Sequence, residues 1–334
     1  MRKSGLAALA KWTVATAVVA SLLIPSVAGA HSATIAPGRI RGVVTAATKA
    51  GRAYRAKLES RAAGLGLLGS GSTNLVYNGG PVMHSDANYA IYWEPSGYST
   101  SSTYKNIVNG YFSNVGAASG ATTNNYSVAT QYYDGTGKIA YSASNGGSAV
   151  DTNAFPASGC VSLSGPCITD AQLQTELSKV VTAKGWPHGM NTMYFVYFPP
   201  NVTTCTDATG AECSGNVYCA YHSSVGSGSS TLLYANMPYD GVSGCESGQA
   251  PNGDTGADSE LNVTSHENIE ALTDPLGTAW YDASGQEIGD KCNFTFGSAL
   301  GGASGAQYNE QISSGNYYLQ EEWSNAASGC VQRS

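Results

Sequence analysis

The sequence predicts an α+β domain in which a mixed β-sheet packs against helices. Segments rich in β-branched and aromatic residues alternate along the chain with segments whose apolar residues recur at helical spacing. Glycine contributes 41 of the 334 residues and charged residues only 12%, which favours sheets and long loops over helical bundles. All eight cysteines follow residue 159, so we expect a loop-rich, disulfide-bonded C-terminal part.

Individual strands and helices follow from local composition and spacing. Strands are predicted at 88–94, 126–133, 138–142, 190–198, 217–222 and 231–237. Helices are predicted at 103–115, 170–183 and 261–272. The stretch 134–137 is a hairpin signal, because its Asp-Gly pair favours a tight turn. Pro275 should end the last helix, since a residue that precedes proline avoids the helical conformation.

The first thirty residues predict a secretory signal. Arg2, Lys3 and Lys11 supply positive charge, residues 12–27 are largely apolar, and 28–30 form a small-residue cleavage site. A membrane anchor is the alternative, but the apolar stretch is too short for one. We therefore expect a secreted, extracellular protein with no membrane partner.

Charge divides the remaining chain near residue 70. Residues 31–70 carry seven basic side chains and one acidic one, whereas 71–334 carry six basic and twenty-two acidic ones, a formal charge of −16. So acidic a domain argues against nucleic acid as a partner. We interpret 31–70 as a basic propeptide-like segment and linker that covers the mature acidic domain, 71–334, by charge complementarity. A flexible N-terminal extension is the alternative.

The cysteine pattern predicts disulfides rather than a metal site. An even count in an exported chain implies pairing, and the zinc-binding alternative is weak because no C-x-x-C pair occurs. Many pairings are possible. Pairing through the shortest loops predicts Cys160–Cys167, Cys205–Cys213, Cys219–Cys245 and Cys292–Cys330.

The last predicted helix contains the sequence H-E-x-x-E at residues 266–270. Residues four apart share one face of a helix, so His266 and Glu270 can bind one metal ion, and Glu267 can reach a water held by that ion. This is the arrangement of the zinc-protease H-E-x-x-H helix with a carboxylate in place of the second imidazole. The alternative is an exposed acidic helix whose histidine is solvated.

A third metal ligand is expected downstream of this helix. Asp290 is the preferred candidate, because a disulfide at Cys292 would fix its backbone, and Glu287 is the second. Asp274 lies eight residues after His266, but its place before a proline is more typical of a helix end. Zinc is the expected cofactor, because it accepts both imidazole nitrogen and carboxylate oxygen. Calcium, which prefers oxygen ligands, is the alternative as a structural ion.

Two further residues are candidates for catalysis. His222 could donate a hydrogen bond to an oxyanion or ligate the metal, and Tyr281 could stabilise an oxyanion in the same way. The alternative for His222 is a structural role beside a disulfide. No G-x-S-x-G sequence occurs, so nothing singles out a nucleophilic serine.

Several short motifs resemble one known family. Residues 78–83 (Asn-Gly-Gly-Pro-Val-Met) with 90–93 (Ala-Ile-Tyr-Trp) resemble the start of the plant EXORDIUM (phosphate-induced protein 1) family, and 250–254 and 317–330 resemble its later segments. This resemblance implies an apoplastic protein linked to growth and implies no enzyme activity. The chain is similar to a microbial branch that keeps a zincin-like helix, which implies His266 and Glu270 as ligands and Glu267 as the base.

These observations lead to two functional hypotheses. The first is a secreted zinc-dependent hydrolase, a zincin-like metallopeptidase acting on extracellular proteins or peptides, in which Glu267 accepts a proton from a metal-held water. The second is a non-catalytic extracellular EXORDIUM-like protein that binds cell-wall polysaccharide and holds a structural metal or none.

Overall fold

The computed structural model describes Met1 and residues 40–64, 74–160 and 165–334. Apart from Met1, the predicted secretory signal lies outside the described residues, and so do residues 31–39 and 65–70 of the predicted propeptide-like segment and linker. Within the described ranges no helix combines the length and the apolar character that crossing a bilayer requires.

Helices and strands are interspersed along the described residues. The helices are α1 (Lys49–Gly64), α2 (Ser102–Ala117), α3 (Tyr126–Ala129), α4 (Asp170–Lys184) and α5 (Thr255–Thr273). The strands are β1 (Arg41–Thr45), β2 (Val76–Tyr77), β3 (Asp86–Trp93), β4 (Tyr133–Asp134), β5 (Gly137–Lys138), β6 (Ala143–Asp151), β7 (Cys167–Thr169), β8 (Thr192–Tyr197), β9 (Thr203–Cys205), β10 (Tyr218–Val225), β11 (Leu232–Met237), β12 (Trp280–Tyr281), β13 (Glu310–Ile312), β14 (Gly315–Tyr317), β15 (Glu322–Ser324) and β16 (Gly329–Val331).

A six-stranded mixed sheet organises the domain, in the order β1-β10-β11-β8-β3-β6. The four strands β11, β8, β3 and β6 are parallel, and β10 and β1 continue the sheet antiparallel. Parallel neighbours require crossover connections, and α2 supplies the one between β3 and β6. The predicted α+β class with a mixed sheet is therefore confirmed.

Helices cover both faces of this sheet. Alternate residues of β3 and β8 point to opposite sides, so that Tyr92 and Phe195 belong to one apolar core while Ile91 and Val196 belong to the other. The first core includes residues of α2 and α5, and the second includes residues of α4. Burial on both faces explains why β8 is buried at every position.

The last of the three predicted helices is longer than the sequence pattern indicated. It begins at Thr255 rather than near Leu261, because the side chain of Asp254 accepts a hydrogen bond from the Ala257 backbone and caps the helix. It ends at Thr273, before Pro275, as predicted. Every residue from Gly256 to Thr273 is buried, so the alternative of an exposed acidic helix is wrong.

Three local expectations differ from the structure. Of the predicted strand at 138–142, only Lys138 lies in a strand, β5. The predicted strand at 126–133 is wrong, because Tyr126–Ala129 forms a single helical turn and only Tyr133 enters β4. Burial decides this conformation: the Tyr126 hydroxyl donates to Asn268 Oδ1 of α5 at 2.8 Å. Conversely, β6 has a Gly- and Ser-rich sequence that carries no strand signal, and its pairing with β3 makes it a strand.

All four predicted disulfides form: Cys160–Cys167, Cys205–Cys213, Cys219–Cys245 and Cys292–Cys330. The last one ties the turn after residue 289 to the C-terminal hairpin β15–β16. A loop-rich, disulfide-bonded C-terminal part is thereby confirmed. Such a pattern fits a protein that folds in an oxidising compartment.

Candidate metal centre

The helix α5 carries the central residues of the candidate site. His266 and Glu270 lie one helical turn apart, and His266 Nε2 is 3.0 Å from Glu270 Oε1. Both side chains are fully buried. The two atoms are close enough for a hydrogen bond but are not aligned for one. Two potential metal-ligand atoms at this separation can also bind one cation.

Polar contacts on the other sides of α5 hold the helix on the sheet. Asn88 Nδ2 donates to Asn268 Oδ1 at 3.1 Å, and Asn268 Nδ2 donates to Asp86 Oδ2 at 3.2 Å. The hydroxyls of Tyr197 and Thr264 lie 3.0 Å apart. Because these polar groups are buried, a shift of α5 relative to the sheet would leave one of them without a hydrogen-bond partner. These bonds therefore fix the orientation of the helix.

Asp290 meets this pair from a short 3₁₀ turn, Asp290–Cys292. Its backbone N–H donates to Glu270 Oε1 at 2.8 Å. One ligand atom from each of His266, Glu270 and Asp290 lies within 4.8 Å of the other two. The structure therefore brings together the three residues that the sequence analysis selected as ligands.

A second imidazole approaches Glu270 from strand β10. His222 is 1% exposed, and its Nδ1 is 3.1 Å from Glu267 Oε2 and 3.6 Å from Glu270 Oε2. Glu287, the second candidate for the third ligand, has its Oε2 3.7 Å from His222 Nε2. His222 thus lies within the site rather than only beside a disulfide. Together these residues form an acid–imidazole cluster, which consists of His222, His266, Glu267, Glu270 and Asp290.

Tyr281, the other catalytic candidate, lies in β12 opposite Val76 of β2. Its part in an oxyanion site stays a prediction.

Several polar atoms of the cluster are buried without a hydrogen-bond partner. They include both ring nitrogens of His266, Glu267 Oε1 and Glu270 Oε2. Buried polar atoms are rarely left in this state in folded proteins, and an ion is one physical reason for it. Gly289 packs against the imidazole of His266, since a Cβ built there would lie 2.8 Å from Nδ1.

The pKa values within the cluster reflect burial and close charges. Burial raises the pKa of Glu267 well above its ordinary value, and repulsion from Glu270 and Asp290 adds to the shift. Burial, together with Glu270, raises the pKa of Asp290 to about 7. Burial also opposes ionisation of His266 and Glu270, but their mutual attraction outweighs it and moves each pKa toward the charged form. The charged forms are thus favoured for the His266–Glu270 pair, whereas burial disfavours ionisation of Glu267 and Asp290.

Glu322 is a residue near the cluster that the sequence analysis missed. Its carboxylate is fully buried without a hydrogen-bond partner, and burial, Glu270 and Asp290 raise its pKa well above the ordinary value. Its strand, β15, lies beside the loop of Asp290, because Trp323 N donates to Ile288 O at 3.0 Å. In the sequence, the predicted Cys292–Cys330 disulfide indicates this proximity, since it brings β15–β16 to the loop of Asp290.

A surface groove lies elsewhere, at the carboxyl ends of the parallel strands. It measures about 750 Å³, and Tyr98 and Phe155 are among its lining residues. Pro95 follows β3 and Thr152 follows β6, which places the groove at the edge where ligands bind in many open parallel sheets. Among the residues that the structure describes, none that lines the groove is charged.

Fold and site together define a disulfide-bonded α+β protein with a buried acid–imidazole cluster. No family model and no solved structure matches the chain. The chain is 34% identical over 103 residues to protein EXORDIUM-like 3 of Arabidopsis thaliana, covering 27% of this chain and 31% of that protein. It is 43% identical over 56 residues to EXORDIUM-like 5 of the same plant, covering 16% and 15%. The chain therefore spans less than a third of the length of either relative.

Proposed function

We propose that the chain is an extracellular EXORDIUM-like protein that holds one divalent cation in its core, on His266, Glu270 and Asp290. The convergence of these three side chains within 4.8 Å carries the proposal. One imidazole with two carboxylates suits zinc, whereas calcium would require about six to eight oxygen ligands. The cation would also offset the repulsion among the buried carboxylates.

The similarity to EXORDIUM-like proteins favours a binding role at the cell wall over hydrolysis. The groove at the carboxyl edge of the sheet supports this role, because a neutral polysaccharide requires aromatic and polar contacts rather than charged ones. Tyr98 and Phe155 form an edge-to-face pair there, with ring centroids 5.4 Å apart. In this hypothesis the metal stabilises the domain and the groove binds the sugar.

A second candidate function is metallopeptidase activity, and the position of Glu267 favours it. Glu267 Oε1 is buried without a hydrogen-bond partner, next in sequence to His266, where a general base for a metal-held water is expected. Zinc would supply the lowered pKa of that water. His222 would hold Glu267 through its Nδ1, and Glu267 would carry the proton to the leaving amine.

Metal analysis of the purified full chain tests the proposed centre. We expect about one zinc per chain, as in structural and catalytic zinc sites. His266→Ala should abolish binding, whereas His188→Ala, which alters an exposed histidine, should retain it. A folded wild-type protein that binds neither zinc nor another divalent cation would refute the centre.

Two assays then separate the candidate functions. Retention on insoluble cell-wall polysaccharide that is lost in Tyr98→Ala but kept in Glu267→Gln supports the binding role. Hydrolysis of a peptide library that is lost in Glu267→Gln, with zinc content unchanged, supports the peptidase. A zinc-loaded protein that shows neither activity would contradict both candidate functions but not the metal centre.

A further inference from the structure

The N-terminal strand of the sheet lies directly against the acid–imidazole cluster. In the antiparallel pairing of β1 with β10, Arg41 is the backbone partner of His222. Gly42 follows, and a Cβ built on it would lie 1.9 Å from Glu270 Oε2 and 2.3 Å from His222 Nδ1. Gly42 has a φ of +47°, in the left-handed region that favours glycine. The backbone of β1 therefore lies so close to the cluster that a side chain at position 42 would overlap Glu270 and His222.

Helix α1 and the strand before it are also attached to the loop of Asp290. Arg55 Nη1 donates to the Asp290 backbone oxygen at 3.0 Å, and Arg55 Nε and Nη2 donate to Thr45 Oγ1 at 3.1 and 2.9 Å. Asn293 Nδ2 donates to the Thr45 backbone oxygen at 3.1 Å. One arginine thus links α1, the end of β1 and a candidate ligand.

Direct contacts rather than general charge attraction hold residues 40–64 in place. The ion pair between Lys57 and Glu212, 3.1 Å long, is solvent-exposed, and exposed pairs contribute little to stability. The backbone ladder with β10 and the bonds of Arg55 are better shielded. The specific position of Gly42 against Glu270 would not follow from charge complementarity alone.

We propose that the outer edge of β10 is a docking edge for an extended peptide, and that residues 41–45 of the chain occupy it as an internal ligand that keeps the metal centre closed. The proposal rests on the metal centre proposed above. Without β1, strand β10 would present unpaired backbone N–H and C=O groups at the sheet edge, a known template for strand addition. The strand that fits there has glycine where it faces Glu270 and His222.

This arrangement also indicates how the centre would open. Residues 64–72, rich in glycine and serine, connect α1 to the rest of the domain. A single cut in this connection would leave 40–64 attached by noncovalent contacts alone, so that a competing peptide could displace it. The edge would then accept an extended peptide as a substrate, or as a partner if the centre is not catalytic.

Hydrogen exchange of the full chain tests the internal ligand. We expect Gly42→Leu to displace β1 and to speed exchange of the outer amides of β10 by about five- to a hundredfold, the range that strain at such a position corresponds to. Zinc transfer to a coloured chelator should accelerate in parallel. Gly110→Leu is the matched control, since a Cβ at Gly110 meets nothing within 4 Å. Unchanged β10 exchange in Gly42→Leu would overturn the proposal.

A milder variant covers the case in which Gly42→Leu does not fold. Arg55→Ala removes the bonds to Thr45 and Asp290, whereas Arg52→Ala removes only a bond to the Ala47 backbone at 3.1 Å. Exchange at β10 should increase in the first variant only. Equal behaviour of the two variants would contradict the proposal.

Addition of peptide tests the docking edge itself. The peptide Ile-Arg-Gly-Val-Val-Thr, which has the sequence of residues 40–45, should restore β10 protection in the variant with the displaced strand. The same peptide with leucine in place of glycine should not. Equal effects of the two peptides, or none, would refute docking. Because exchange at β10 is measurable without metal, a zinc-free protein would refute the centre and leave this result interpretable.

Discussion

Gly289→Ala should weaken zinc binding by moving the imidazole of His266. A Cβ at this position would lie 2.8 Å from His266 Nδ1 and 2.9 Å from Cε1 and Cγ, and real Cβ atoms essentially never come within 3.0 Å of such neighbours. The backbone of Gly289 has φ −80° and ψ −40°, which alanine adopts readily. The effect of the substitution is therefore steric.

The size of this effect follows from the overlap. The ring must retreat by about half an ångström to restore ordinary contact, and overpacking of this kind costs about 1–3 kcal/mol. If that free energy acts wholly on the metal-bound form, zinc affinity falls by about five- to a hundredfold. A shift of this size also exceeds the tolerance of about 0.2 Å in a zinc–nitrogen bond.

Competition with a chelator of known affinity measures the zinc affinity, and urea unfolding measures stability. Gly110→Ala is the control, because its Cβ has open space in the middle of α2 and should stabilise that helix by about 0.5–1 kcal/mol. Zinc affinity equal to wild type in Gly289→Ala would show that His266 is not a ligand, or that its ring moves freely. Either result would refute the steric reasoning.

Two further predictions concern stability. Burial raises the pKa of Glu310 from its ordinary value of 4.5 to about 8, so the folded state retains a proton that the unfolded state releases. The stability contributed by this proton is lost as pH rises from 4.5 to 8. In urea unfolding, the stability of Glu310→Gln should decline less steeply over this pH range than that of the exposed control Glu246→Gln. The two slopes should differ by at most about 1.4 kcal/mol per pH unit, and parallel profiles would contradict the prediction. Replacement of Cys292 and Cys330 by alanine removes a disulfide that closes a loop of 38 residues. It should lower the free energy of unfolding by about 4 kcal/mol and weaken zinc binding. Replacement of Cys205 and Cys213, whose disulfide closes a loop of 8 residues, should lower the free energy of unfolding by about 2.5 kcal/mol and leave zinc binding unchanged. Equal losses of zinc binding in the two variants would be inconsistent with a local role of Cys292.

The parts of the fold that the sequence predicted depend on local rules. The hairpin at 134–137, the end of α5 before Pro275 and the short-loop disulfides all require only neighbours in sequence. The convergence of His266 with Glu270 is local in the same sense, because helical spacing alone places them on one face. Asp290 could be inferred because the disulfide of Cys292 restricts its loop.

The remaining parts depend on contacts between distant segments. Nothing in the composition of β6 predicts a strand, since its edge position beside β3 provides its hydrogen bonds. The closure of the cluster by Gly42, and the approach of Glu322 through β15, join residues that are about 50 to 230 positions from α5. Tertiary pairing of this kind overrides local propensity, and one sequence contains no direct signal for it.

The burial of α5 on all sides has a consequence for how this protein can vary. Most helices at a domain surface offer one face where substitutions are nearly neutral, but here every position from Gly256 to Thr273 contacts the interior. A saturation screen along this helix should find no tolerant stripe. Changes that retune the chemistry of the cluster will therefore also alter folding, so compensating substitutions must arise in the surrounding layers.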